Sequence, residues 1–339
     1  PQHEILVLAL NANARRAPRS RDYPGSQAVL LRTTITYSLL SALALGTLGQ
    51  LVRDRAFVLM LFMFVPVLHV AVVACVWDAM LRGRALGARW LLACVAVGCG
   101  AFAVSSLWQP ALAPETAGSD ARVRLVQWNT LWGGTTPESL AAVLDSIDAQ
   151  QPDVVCLSEA PRSRRLRRAW DERHPGWNMA SVGSRQSQSY WYNLTILTRY
   201  PVRMRQEWQL STGHATLFEV SLPARMLRVL IADLESSPRK PRSPSIRQVA
   251  ELVNARASSA EPIDLVLGDF NTPARFLGFD ALAAAGGGFR RASLWSGEWR
   301  GTWPDFVPLP AYDIDHVWVS ARWGVLGSRF FGSRRTDHR

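Results

Sequence analysis

The sequence predicts three membrane-spanning helices followed by an α+β domain, and three observations carry that reading. Residues 33–52, 56–77 and 90–109 form apolar runs of 20, 22 and 20 residues. From residue 122 onward, short strand-like runs alternate with segments of helical spacing. Several runs follow one another with no helix between them, which argues against a purely parallel doubly wound sheet. Four of those runs also end in polar motifs, LVQWNT, VVCLSEA, LVLGDFN and YDIDHVW, and a fifth cluster, TDH, closes the chain. At 339 residues there is room for one large domain and an appendage.

Residues 1–32 read as an Arg-bearing cytoplasmic tail. Each of the three runs at 33–109 is long enough to cross a hydrocarbon core of about 30 Å at ~1.5 Å per residue. The second contains one proline, Pro66, and one histidine, His69. Three such runs in succession, separated by Arg-containing loops, argue against buried helices of a soluble protein and against a single cleaved signal segment. Ala111-Leu112-Ala113 resembles a cleavage site, but Pro114 directly after it blocks processing. Arg15, Arg16, Arg19, Arg21 and Arg32 precede the first run, Arg82, Arg84 and Arg89 lie between the second and third, and only Arg53 and Arg55 flank the opposite side. That asymmetry predicts a cytoplasmic N-terminus, and three crossings then put the rest of the chain outside. Residues 110–121, rich in Pro, Ala and Gly, read as a linker to a domain at 122–339.

Within that domain, residues 122–128 alternate polar and apolar and form a strand ending at Asn129. Leu140, Val143, Leu144 and Ile147 recur at helical spacing over 137–150, with Thr136 as N-cap and Ser139 in the first turn. Residues 154–157 are continuously apolar, as in a strand buried on both faces. Further strands are expected at 194–198, 227–232, 263–267 and 313–320, and a helix at 244–255. The formal charge is +11, and only one of the 38 basic residues, Lys240, is lysine. Cys75, Cys94, Cys99 and Cys156 lie in apolar segments without ligand-like spacing, which excludes a structural zinc site or a disulfide framework.

Carboxylates, amides and an imidazole at strand ends can converge on one point, a chemistry suited to a hard divalent cation and a phosphate ester. Asp269 and Asn271 sit at i and i+2 of an extended segment, so they offer a carboxylate and an amide in one direction. Gly268 permits a tight exit from the strand. The run at 162–168 carries five arginines; it can be a solvated basic face, a contact for anionic headgroups, or a contact for nucleic acid. Among the tryptophans, Trp191 is a candidate for a groove or interface and most others are expected in the core.

These motifs, in this order over residues 122–339, resemble the endonuclease/exonuclease/phosphatase superfamily, the metal-dependent phosphoesterases related to DNase I. The resemblance implies two packed β-sheets flanked by helices. It implies Mg²⁺ (or Mn²⁺) held by Glu159, with Asp337 as an auxiliary ligand. By the same resemblance Asn129 steers metal-bound or phosphate oxygens, Asp269 positions or deprotonates the attacking water, and Asn271 holds a phosphate oxygen. Asp315 orients and charges His338, and His316 stands beside it. Where many members carry a histidine in a THL-like segment, this chain has Asp233, which would bind metal or orient a basic group such as Arg247. The three spans resemble the membrane-anchored bacterial subgroup that includes the teicoplanin-resistance membrane protein. The expected substrate is a lipid-linked phosphate or pyrophosphate at the outer face of the cell membrane, with an extracytoplasmic nuclease as the alternative. Oligomeric state is not legible. The chain ends one residue after His338, so the terminal segment is expected to be weakly anchored.

Overall fold

The computed structural model describes residues 24–80, 87–115, 122–133, 136–183, 193–332 and 336–339. Most of the Arg-rich tail, Arg82 and Arg84, half of the expected linker, and Trp191 lie outside the described residues.

The first third forms α1 (Pro24–Val52), α2 (Phe57–Phe62), α3 (Val67–Met80) and α4 (Gly87–Leu107). Among the described residues, one helix, Gln27–Val52, is long and apolar enough to cross a membrane; the apolar helices Val67–Met80 and Leu91–Leu107 are shorter. The second expected run is therefore not one helix. Pro66 has no N–H to donate and its ring clashes with the preceding turn, so the chain leaves helical geometry at 63–66 and restarts as α3. Leu43, Val67, Ala71, Ala74, Leu92 and Ala96 pack α1, α3 and α4 together, while Leu30, Val72, Val76, Leu91 and Val97 stay exposed on the outside.

The remainder is a four-layer α+β domain. β1 (Leu125–Asn129), β2 (Val154–Ser158), β3 (Asn178–Gly183) and β4 (Asn193–Thr198) form one sheet in the order β1-β2-β4-β3. β5 (Val202–Leu210), β6 (Gly213–Ser221), β7 (Met226–Asp233), β8 (Leu265–Asp269), β9 (Phe289–Arg291) and β10 (Asp315–Ser320) form the other, in the order β5-β6-β7-β8-β10-β9. Both sheets mix parallel and antiparallel pairs.

Period-two alternation sorts each strand between two cores. Val229, Ile231, Leu265 and Leu267 of the larger sheet meet Val154, Cys156, Leu194 and Ile196 of the smaller one. The intervening residues Leu230, Ala232 and Val266 face outward onto α7 (Ser243–Ala257) and α8 (Gly278–Ala284). On the far side, α5 (Pro137–Asp148) and α6 (Ser163–Arg173) cover Val126, Trp128, Val155 and Leu157. α5 starts as expected, with Thr136 and Ser139 forming a reciprocal capping box and Pro137 in the first turn.

The apolar helices are joined to this domain. Met60 and Met63, at and just beyond α2, enter the core beneath α7 and α8. Arg53 pairs with Asp280 at 2.6 Å and donates to the carbonyl of Phe276 at 3.0 Å. Asp54 accepts from the backbone of Leu277 at 2.8 Å. At the other end, the carbonyl of Leu107 accepts from the backbone N–H of Arg300 at 2.8 Å.

Candidate active site

Strand register builds the site. Asp269 of β8 is paired with Asp233 of β7 on one side and with Asp315 of β10 on the other, and Asp233 is paired in turn with His214 of β6. Cross-strand partners project from the same face of a sheet. Asp269 shares its parity with Leu267 and Leu265, so this face is the one turned toward the smaller sheet. Four ionisable side chains thus line up at the end of the inter-sheet core, where β1 and β2 deliver Asn129 and Glu159.

Gly268 permits the row. Its φ is +133°, and a Cβ there would stand 1.9 Å from the carbonyl oxygen of Ala232 on β7, so only glycine allows the two strands to approach this closely. Glu159 (φ +45°) and Asn271 (φ +47°) adopt left-handed conformations that cost a non-glycine residue about 1–3 kcal/mol, least for asparagine. The Glu159 turn is held by its own carbonyl, which accepts from Thr130 Oγ1 at 2.9 Å and from the backbone of Trp132 at 2.8 Å.

The central carboxylate is Asp269, which is 1 % exposed. Its Oδ2 accepts from Asn129 Nδ2 at 2.8 Å and from Asn271 Nδ2 at 3.1 Å, and its Oδ1 accepts from the backbone of Asn271 at 2.7 Å. Burial, then the charge of Asp315, push its pKa up to about 7 against the opposing pull of His338. Glu159 is likewise raised, chiefly by burial, although Asn129 hydrogen-bonds to it. His338 Nδ1 lies 2.8 Å from Asp315 Oδ2, and its Nε2 lies 3.7 Å from Asp337 Oδ1 and 4.0 Å from Asp269 Oδ2. Burial opposes charge on this imidazole, but Asp315, Asp269 and Asp337 together outweigh it and raise its pKa to about 10. His338 is a cation at neutral pH.

The residue set fits a hard divalent cation. Among the described residues, Asp269 and Asp315 present carboxylate oxygens within 4.8 Å of one another and of the His338 ring, which as a cation faces the site as a donor and not as a ligand. Buried oxygens of Asp315 and Asp337, Oδ1 in each, have no hydrogen-bond donor among the described residues. Glu159, Asp269, Asp315 and Asp337 gather around a single imidazolium, leaving negative charge uncompensated. Oxygen donors of this kind suit Mg²⁺ or Mn²⁺.

The structure therefore brings together Asn129, Glu159, Asp269, Asn271, Asp315, Asp337 and His338. Asn271 Nδ2 donates to the carbonyl of Leu234 at 2.7 Å and to Asp269 Oδ2 at 3.1 Å, which fixes that carboxylate. His316 is not in the cluster. It follows Asp315 by one residue and so faces the opposite side of the sheet, between Phe270 and Phe279, with Nε2 2.8 Å from the carbonyl of Thr272. Arg247 is not there either: Ile246, Val249, Ala250 and Val253 set the buried phase of α7 and leave Arg247 exposed. Just beyond the end of β7, Lys240 pairs with Glu235 at 2.6 Å, and the buried Arg242 donates from Nε to the carbonyl of Glu235 at 2.9 Å.

Sequence reasoning also missed His214, which only strand pairing brings beside Asp233. Nor is the terminal segment weakly held. Trp128 Nε1 donates to the carbonyl of His338 at 3.1 Å, Trp303 Nε1 to Asp337 Oδ2 at 2.7 Å, and Thr336 Oγ1 to the carbonyl of Asn129 at 3.1 Å.

A two-sheet sandwich carrying a carboxylate-rich cluster beside an imidazolium defines a class of phosphoester hydrolase. The model of the Endonuclease/Exonuclease/phosphatase family matches residues 126–338, nearly two-thirds of the chain, and the chain belongs to that family. No curated protein sequence matches it. Among solved structures, the catalytic domain of human Nocturnin with a bound sulfate anion is 18% identical, with a TM-score of 0.47, over 64% of this chain and 90% of that one. A Bacteroides thetaiotaomicron mannosyl-6-phosphatase is 14% identical, with a TM-score of 0.49, over 64% and 97%. Sphingomyelinase C from Streptomyces griseocarneus is 16% identical, with a TM-score of 0.45, over 65% and 97%.

Proposed function

We propose that this protein is a membrane-anchored, Mg²⁺- or Mn²⁺-dependent phosphoesterase that hydrolyses a lipid-linked phosphate ester or pyrophosphate at the outer face of the cell membrane. The observation that carries the chemistry is the pairing of Asp269, a buried carboxylate with a pKa near 7, with His338, an imidazolium held by Asp315. Glu159 and Asp337 would hold the metal ion, whose chemistry is Lewis-acid polarisation of a phosphate oxygen. Asp269, fixed by Asn129 and Asn271, accepts a proton from the attacking water. His338 donates from Nε2 to a phosphoryl oxygen as negative charge builds there. Asp233 and His214 extend the same row and border the substrate.

The anchoring rests on several supports. α1 has the length and apolar surface of a span, and α3 and α4 carry exposed apolar faces beside it. The turn at Arg53 and Asp54 and the end of α4 both contact the α+β domain, as expected if they share one side of a membrane with it. With the arginine asymmetry, this supports a cytoplasmic tail ahead of Gln27, crossings by α1 and by the shorter apolar helices α3 and α4, a linker at 110–121 and an extracytoplasmic catalytic domain at 122–339. It is in keeping with the subgroup of the teicoplanin-resistance membrane protein.

A second reading, an extracytoplasmic nuclease, draws support from α6, which exposes Arg164, Arg167 and Arg168. One experiment separates the two. Purified full-length protein with Mg²⁺ is given polyprenyl pyrophosphate, phospholipids, plasmid DNA and RNA, with Asp269→Ala as the control for each. Phosphate release from a lipid substrate that Asp269→Ala abolishes supports the favoured reading. Cleavage of nucleic acid alone, lost in the same variant, replaces it with the second.

A further inference from the structure

Away from the carboxylate row, a cavity of about 60 Å³ lies at the seam between the apolar helices and the α+β domain. Its helix wall is formed by residues such as Val67, Phe102 and Leu107, and its domain wall carries Arg275, Arg291 and Asp313. One water needs ~10–15 Å³ measured this way, so the space accommodates a small polyatomic group.

Charge at this seam is unbalanced. Arg291 Nη1 stands 3.4 Å from Asp313 Oδ2, while Asp313 Oδ1 accepts from the backbone of Ala274 at 3.2 Å. Arg275 reaches α4, donating to Ser106 Oγ at 3.1 Å with its guanidinium over the ring of Phe102. Arg300 is 3 % exposed, and its Nε and Nη2 have no hydrogen-bond acceptor among the described residues. Burial, then the neighbouring charge of Arg291, lower its pKa to about 10, with Asp313 opposing. In the cavity wall, His69 also has a buried Nδ1 with no partner among the described residues. Arg275, Arg291 and Arg300 thus share one nearby carboxylate in a poorly solvated place, where an uncompensated cation is costly.

We propose that this cavity binds a phosphate group, supplied by an anionic phospholipid headgroup or by free phosphate, through Arg275 and Arg291 of its wall, with the charge of the buried Arg300 next to Arg291 behind them. Guanidinium forks match phosphate oxygens two at a time, and the seam places such a group where acyl chains can run along α3 and α4. The lipid source rests on the membrane-anchored reading; the free-phosphate source does not. The site is separate from catalysis and fastens the domain to its helices.

The test uses the full chain in detergent, titrated by native mass spectrometry with phosphatidylglycerol, phosphatidylcholine and inorganic phosphate. Wild type, Arg291→Gln, Arg300→Gln and Glu159→Gln are compared, with thermal midpoints as the check on folding. The expected result is one equivalent of phosphatidylglycerol bound more tightly than phosphatidylcholine. Affinity should weaken about tenfold or more in each arginine variant, the scale of one charge-assisted hydrogen bond, and stay unchanged in Glu159→Gln. Displacement by inorganic phosphate assigns the free-phosphate source; failure to displace assigns the lipid. Because Arg300 is buried, Arg291→Gln provides the independent reading if Arg300→Gln does not fold. Binding of neither probe, equal binding to folded arginine variants, or loss in Glu159→Gln instead would overturn the proposal. Release of the chain from membranes by alkaline carbonate would defeat the anchoring alone and leave the phosphate arm standing.

Discussion

Replacing Asp315 with asparagine isolates the charge that the site places on His338. The side chains of His338 and Asp315 are 6% and 3% exposed and 2.8 Å apart, and an asparagine carbonyl can still accept from Nδ1 without carrying charge. In wild type the imidazole pKa stands at about 10, against 6.5 for a free imidazole. At about 1.36 kcal/mol per pKa unit, that is on the order of 5 kcal/mol of preference for the charged form. Burial acts in the opposite direction, so without the Asp315 carboxylate the pKa should fall well below 10, with Asp269 and Asp337 still holding it up in part.

At pH 7.5 the protonated fraction should then drop below its wild-type value, and turnover should fall with it, by up to ~10-fold if the imidazole returns to its ordinary range. The stability of the metal-free protein should change as well. A histidine whose folded pKa is raised contributes stability fully below pH 6.5 and loses it as pH rises through about 10. The wild-type thermal midpoint should decline across that window, and the Asp315→Asn midpoint should decline much less. The assay is the His338 imidazole resonance followed by NMR against pH, alongside thermal unfolding at the same pH values. An unchanged His338 titration in folded Asp315→Asn would show that Asp315 does not set the charge on this imidazole.

Further substitutions probe the surroundings. Gly268→Ala places a methyl against Ala232 O at a left-handed φ and should destabilise by about 2 kcal/mol or more in urea unfolding. Trp303→Phe removes the indole N–H from Asp337 Oδ2 and should weaken Mg²⁺ affinity ~10–100-fold, measured by calorimetry, while the fold is kept. Arg53→Ala cuts the link to Asp280 and Phe276 and should cost about 1–2 kcal/mol in thermal unfolding, without altering turnover per folded molecule.

Much of this architecture was legible because single segments carried complete signals. The continuous apolar run that became β2 and the capped, periodic stretch that became α5 needed no distant partner to be read. β5 and β6 were hidden. β5 is an edge strand bearing Arg203, Arg205 and Glu207, and β6 buries Glu219 as counter-ion to Arg203 and Arg228, so neither shows a clean apolar alternation. With β6 unseen, His214 had no place beside Asp233, since that proximity exists only through register. Arg247, an example of a basic group that Asp233 would orient, is turned to solvent by the buried phase of α7, which shows only once the helix is packed. Asp269 and Asp315 are legible because their motifs stand at strand ends, where side chains converge, whereas His338 is legible only through the resemblance of the terminal TDH motif to the family.

The most direct test of the central claim is phosphate release by full-length protein as Mg²⁺ is titrated, beside Glu159→Gln measured over the same range. Wild type should be silent in excess EDTA, recover with Mg²⁺ or Mn²⁺, and saturate. Glu159→Gln, folded to the same thermal midpoint, should need far more metal or show no turnover. Undiminished wild-type turnover in EDTA, or a Glu159→Gln curve that overlays the wild type, would contradict the account.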